Sequence, residues 1–242
     1  MEKLISELKR LYLLPDSPAA QAGPGAHADL VSGAGLVRAI AIPFRKTAGA
    51  DAQHWERLCT VANGLQADFG FPAPAVSVAS AGGFVLWLSL AAPVPVADAR
   101  RFVSGLGRLW PDTLPPADTI GVPVELPPCA NAATGTWAAF IHPGMGASFA
   151  DESGLDMAPP VAGQVAFLEG LDSIAPGQFR DALARLETPP ASVPASVPAS
   201  VSTSVPAPSA DGLLLKDATL EDIARVLHAR GIEPTFRFTL PR

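Results

Sequence analysis

Residues 75–90 read Ala-Val-Ser-Val-Ala-Ser-Ala-Gly-Gly-Phe-Val-Leu-Trp-Leu-Ser-Leu. Val76 and Val78 alternate with small residues, and Phe84–Leu90 is an almost unbroken apolar run. Ser80-Ala81-Gly82-Gly83 lies between them. Two short apolar runs joined by a Gly-Gly turn predict an antiparallel hairpin. The second run is apolar at successive positions. A strand that is apolar on both faces needs cover on both, so Phe84–Leu90 is predicted to be central in its sheet.

The pattern continues outward on each side. Upstream, Trp55, Leu58, Cys59, Ala62, Leu65 and Phe69 share one helical face across residues 52–69, and Gly70 and Pro72 close that helix. Before it, Leu36–Ile42 is an apolar strand interrupted by Arg38 and ended by Pro43. Downstream, Pro93 and Pro95 lead into a helix over Val96–Trp110, with Ala99, Phe102, Val103, Leu106 and Leu109 on its buried side. The order is strand, helix, strand, strand, helix.

Elsewhere in the first 187 residues, Leu4, Leu8 and Leu11 mark an N-terminal amphipathic helix stopped by Pro15. Residues 17–35 read as a loose Ala/Gly-rich connection. Thr119–Leu126 is expected to be a strand confined to an edge by Pro123, and Thr136–Ile141 another. Residues 141–154 read as a polar surface loop. Helices are predicted at Val161–Leu168 and Pro176–Leu186.

Residues 188–210 repeat a Pro-Ala-Ser-Val unit without aromatic or charged side chains until Asp211. Such a stretch buries too little apolar area to offset ordering entropy, and a disordered tether is expected. In residues 211–242, Leu220, Ile223, Ala224 and Leu227 form a helical stripe, and Phe236 and Phe238 alternate as in a strand. About 30 residues are too few for a core of their own, so this module is expected to dock on its own domain or on a protein partner. The expected division is thus 1–187, 188–210 and 211–242, with an α/β (α+β) main domain.

Composition narrows the function. Apolar residues make up 48% and charged residues 17%, with 23 acids against 17 bases for a formal net charge of −6. A protein that coats nucleic acid through phosphate neutralisation is usually basic, so only a local basic patch remains open. Cys59 and Cys129 lack a neighbouring Cys or His at ligand spacing and read as buried thiols. The first 17 residues mix acids and bases without an apolar signal core. No run reaches the about 18 apolar residues of a membrane span, so a cytoplasmic protein with no membrane partner is expected.

The element order, the Ser80–Gly83 turn and the Leu86-Trp87 strand resemble the catalytic core of archaeo-eukaryotic primases. Ala91-Ala92-Pro93-Val94 followed by the helix with Arg100 and Arg101, and Val124-Glu125-Leu126-Pro127-Pro128 with Thr134-Gly135, extend the likeness over roughly residues 36–140. The resemblance implies an RRM-like, primase-type sheet with flanking helices. It also implies a groove for nucleotide or nucleic acid, with Arg38, Arg45, Ser80, Gly82 and Gly83 as candidate phosphate contacts. The family's first strand carries two metal-binding acids, whereas Leu36–Ile42 carries none. Two-metal chemistry needs such carboxylates. The departure argues for a non-catalytic, primase-derived binding or assembly module without cofactor. Two alternatives stay open. One is a nucleotidyltransferase whose Mg²⁺ or Mn²⁺ is held by Glu125 with Asp118 or Asp151. The other is a purely structural interaction protein.

Further motifs point to local structure. The loop His142-Pro143-Gly144-Met145-Gly146-Ala147-Ser148 lacks the lysine and helix start of a phosphate loop and reads as a turn. His27, His54, His142 and His228 are scattered, and exposed or capping roles are expected. Asp151, Glu152 and Asp156 read as solvated loop charge. Arg45 and Lys46 flank the first strand, and Arg100, Arg101 and Arg108 line the second helix.

Overall fold

The structure, a computed structural model, describes residues 1–25, 27–46, 52–150, 152 and 154–187. The expected tether at 188–210 and the module at 211–242 lie outside the described residues. The elements are α1 (Glu2–Leu11), α2 (Pro18–Ala22), β1 (His27–Ala28), β2 (Leu36–Phe44), α3 (Gln53–Phe69), β3 (Ala75–Val78), β4 (Phe84–Pro95) and α4 (Val96–Leu109). They continue with β5 (Val124–Glu125), β6 (Cys129–Ala130), β7 (Trp137–Ile141), α5 (Val161–Glu169) and α6 (Pro176–Glu187). This is a mixed α/β architecture.

Five strands form one antiparallel sheet in the order β2-β4-β3-β7-β6. The β3–β4 hairpin forms as the sequence predicts, with Val78 opposite Phe84 and Ala75 opposite Trp87. Its loop is closed by the Ala79 N–H donating to the Gly83 carbonyl at 2.9 Å. β4 lies between β2 and β3, so its double-sided apolar run is covered as strand chemistry requires. One face presents Ile40, Ile42, Val76, Phe84, Leu86 and Leu88 to the apolar sides of α3, α4 and α6. The other presents Ala39, Ala41, Val85, Trp87 and Phe140 to Leu4, Leu8 and Leu11 of α1 and to Val165 and Leu168 of α5.

The second face is tied together by aromatic packing and by satisfied polar groups. Tyr12, Trp87 and Phe140 meet with ring centroids 5.2–5.8 Å apart. The Trp87 indole donates to Ser77 Oγ at 2.8 Å, and Ser89 Oγ donates to the Leu11 carbonyl at 2.7 Å. Gln164, on α5, receives the Phe140 N–H and donates to the Phe140 carbonyl, each at 2.9 Å. Its amide thereby does what a neighbouring strand would do, beyond the point where two-residue β6 stops. Arg10 donates to the carbonyls of Leu168 and Leu171, placing a cation at the α5 C-terminus.

Three expectations need correction. Thr119–Leu126 is not a continuous strand: residues 117–119 form a 3-10 turn, Gly121 adopts φ +84°, and only Val124–Glu125 is extended. Pro123 and the left-handed glycine break the run. Within the segment expected to be a loose connection, Pro18–Ala22 form a helix, because Ser17 caps it through Oγ and Pro18 occupies its first turn. Residues 143–149 form a 3-10 helix rather than a plain loop. His142 Nδ1 accepts the Gly144 N–H, and Gly146 packs so tightly on the Trp55 ring that a Cβ would come within 1.9 Å of it.

Two tests follow from the second face. Leu8 is fully buried, so Leu8→Ala should cost about 2–5 kcal/mol in denaturant unfolding. Tyr12 is the chain's one tyrosine, and burial pushes its hydroxyl well above the usual range. The unfolded chain ionises Tyr near ~10 while the fold holds it neutral. Stability should therefore fall by about 1.4 kcal/mol per pH unit above that point. Absorbance at the phenolate band should rise only together with unfolding.

Candidate functional site

The hairpin end of the sheet opens into a cavity of about 620 Å³. Pro43, opposite Val85 in the β2–β4 ladder, supplies its floor on the face that also carries Trp87. Arg45 and Lys46 continue from the end of β2, Gly82 comes from the hairpin turn, and Asp118 to Glu125 close the far side. β1 and β5 pair antiparallel, His27 opposite Glu125, and this two-stranded ribbon forms the remaining wall. Phe44, Phe84, Val122, Pro123 and Val124 make much of the lining apolar.

The turn is held by a carboxylate. Glu125 accepts the Ser80 N–H through Oε2 at 3.0 Å and the Ser80 hydroxyl through Oε1 in a short contact. Thr136 Oγ1 donates to the Ser80 carbonyl at 2.6 Å. Ser80 is fully buried, and its backbone and hydroxyl groups are spent within the fold. Glu125 is itself 13% exposed, and the His27 imidazole stands 3.9 Å away at a position 67% exposed. The arrangement is therefore a staple between the β3–β4 turn and β5, with a loose histidine at its outer side. A serine nucleophile would need an exposed hydroxyl bonded to a base that another group orients; here the hydroxyl is sealed.

Gly83 builds the site in a different way. It adopts φ +87°, and a Cβ there would meet the Phe44 carbonyl oxygen at 2.5 Å. Only a residue without a side chain lets β2 and the turn approach this closely. Of the five candidate phosphate contacts, Arg45 and Gly82 line the cavity, while Ser80 and Gly83 shape it from behind. Arg38 does neither. It sits where the β2–β4 register shifts between Val37 and Ala39, near the opposite end of β2, and its Nη2 donates to the Ala91 carbonyl at 3.3 Å. It stands five residues before Pro43 along β2 and does not line the cavity.

The acids divide similarly. Glu125 and Asp118 line the same cavity, and Asp151 lies outside the described residues. Among the described residues, no group of three His, Cys, Asp or Glu side chains is arranged to hold a metal ion. Both cysteines are free. Burial pushes the Cys129 thiol up and Glu125 adds to this; burial, then Glu56, does the same for Cys59. His54, expected in an exposed or capping role, is buried at 3% exposure and stacks on Phe84 at 5.3 Å. Sequence reasoning expected an exposed or capping His27 but not its place beside Glu125, nor the Val122–Val124 wall, because strands of two residues leave no periodicity to read.

Glu125→Ala should destabilise the protein by about 1–3 kcal/mol, since it leaves buried donors on Ser80 without an acceptor. His27→Ala should stay within about 0.5 kcal/mol in the same unfolding assay, as expected of an exposed group at this separation. A scan against protein-family models finds no family that matches this chain, and a search of curated proteins finds none that matches it either.

Proposed function

We propose that residues 1–187 form a non-catalytic binding domain of primase type, whose cavity at the hairpin end takes the phosphate of a nucleotide or nucleic acid. The observation that carries this reading is the meeting of Arg45, Lys46 and the Gly82 backbone in one cavity at the end of a strand that has no acid. Arginine forks and lysine ammonium groups suit phosphate oxygens. The apolar lining suits a base or sugar, and the volume falls in the range of small-ligand sites.

The primase-type assignment draws on the β2-α3-β3-β4-α4 order, on the β2-β4-β3 neighbourhood and on the two helices packed over one face. The next long strand, β7, adds at the β3 edge. The non-catalytic assignment draws on β2, which reads Leu-Val-Arg-Ala-Ile-Ala-Ile-Pro-Phe, and on Glu125, whose two oxygens both serve Ser80. Cytoplasmic residence belongs to the same reading; no helix among the described residues is long and apolar enough to cross a membrane.

A second reading, a nucleotidyltransferase with a relocated metal site, has one observation in its favour: Asp118 and Glu125 share the cavity. Mg²⁺ or Mn²⁺ would have to draw Glu125 off Ser80, releasing one donor from each of its two carboxylate oxygens. That exchange disfavours the metal.

Fluorescence anisotropy with a labelled oligothymidylate, and calorimetry with ATP, separate the readings. The binding module predicts affinity that weakens steeply with salt and falls about tenfold in Arg45→Ala, the loss of one charge-assisted contact. Thermal stabilisation that requires Mn²⁺ and disappears in Glu125→Gln would favour the transferase instead. Failure of both probes to bind would overturn the ligand-binding reading and leave a structural role.

A further inference from the structure

A second concavity, of about 560 Å³, lies along α4 and is lined by Arg100, Arg101, Ser104, Arg108, Asp118 and Glu187. Arg100, Ser104 and Arg108 are spaced four residues apart, so they lie along one stripe of the helix that spans about 12 Å. Each arginine is held in place by the fold. Arg100 Nε donates to the Ile120 carbonyl at 2.9 Å, and Arg108 Nη2 donates to the Leu186 carbonyl at 2.8 Å. Arg101 is paired with Asp98 at 2.8 Å and Glu187 at 2.7 Å.

This bonding leaves an imbalance. The carboxylates Asp98 and Glu187 are taken by Arg101, while among the described residues Arg100 and Arg108 bond to neutral carbonyls. Neither has a carboxylate within salt-bridge distance among the described residues, although Asp118 lines the same concavity. Their anchored guanidinium groups keep further N–H donors unmatched by protein acceptors among the described residues, and the Ser104 hydroxyl lies between them. Anchoring through a neutral carbonyl fixes a fork without cancelling its charge, which is pre-organisation for an incoming anion.

We propose that this α4 face is a second anion site, which meets the cavity at the hairpin end at Asp118 but holds its ligand through other cations, for a small ligand carrying a chain of two or more phosphates. The exposure of the stripe decides the ligand class. A single charge at an open surface is screened and gains little. Two forks anchored about 12 Å apart along the helix, with a hydroxyl between them, are met together by a linked phosphate chain.

The test is calorimetric titration of the full chain carrying Arg45→Gln, which weakens the first cavity, with orthophosphate, pyrophosphate and tripolyphosphate at constant ionic strength. Pyrophosphate and tripolyphosphate should bind saturably at one site, at least about tenfold tighter than orthophosphate. Arg108→Gln should loosen that binding about tenfold, Arg100→Lys should loosen it as well, and Asp118→Asn should tighten it. Melting temperatures of the variants identify any that fail to fold; Arg108→Gln, which loses one surface hydrogen bond, serves as the decisive variant. No saturable binding, equal affinity for orthophosphate, or pyrophosphate binding unchanged by Arg108→Gln would overturn the proposal. None of these outcomes bears on the nucleotide reading of the first cavity, which turns on Arg45 in an otherwise unaltered chain.

Discussion

Strand β4 cannot tolerate water on either side. From Phe84 to Leu90 every residue is buried, including Ser89, whose hydroxyl is matched by the Leu11 carbonyl. Burial of apolar area on two faces is the largest stabilising term available to such a strand. It compels a layer above and a layer below. The helices α3, α4 and α6 supply one layer, whereas the other is assembled from α1 and α5, which are about 150 residues apart in sequence. The remaining fold follows from that demand. β2 and β3 flank β4, Arg10 binds α1 to the end of α5, and Gln164 finishes the β7 edge where β6 is too short to do so.

Much of this was legible because it rests on local periodicity and on turn chemistry. The hairpin turn, the α3 and α4 stripes and the Leu4–Leu8–Leu11 face all emerged from residue spacing alone. What was not legible depends on contacts distant in sequence. The β1–β5 ribbon joins residues about 97 positions apart, and nothing in His27-Ala28 or Val124-Glu125 announces the pairing. His54 was expected in an exposed or capping role; its stacking on Phe84 is visible only once α3 sits on the sheet. Arg38 stands at the β2 register shift, a local irregularity that strict alternation does not show.

The candidate site shows a further limit of reading chemistry from residue type. Glu125 and Ser80 are both types that active sites use, and they are in contact. Their roles are nevertheless structural by geometry, because Ser80 is sealed and Glu125 is occupied by its two donors. A carboxylate bound in this way is costly to redirect to a metal, as each hydrogen bond removed strands a buried partner. Arg45 and Lys46 differ in being exposed at the cavity's edge, where a ligand can reach them.

The covering of both sheet faces also restricts where a ligand can sit. A sheet with helices on one side offers its bare face as a platform. Here Tyr12, Trp87 and Phe140 fill that face, and α1 and α5 close over them. At the hairpin end this cover gives way: Pro43 and Val85 carry the same face outward, and the short β1–β5 ribbon encloses a space above them instead of packing flush. The central strand's demand for burial thus fills the face and leaves this cavity at the rim. At the rim, Gly83 sets how closely β2 and the turn approach, and the Glu125–Ser80 staple sets the far wall. The shape of the cavity is therefore a consequence of how the hydrophobic core is completed, and its chemistry is supplied by the few side chains that extend beyond it.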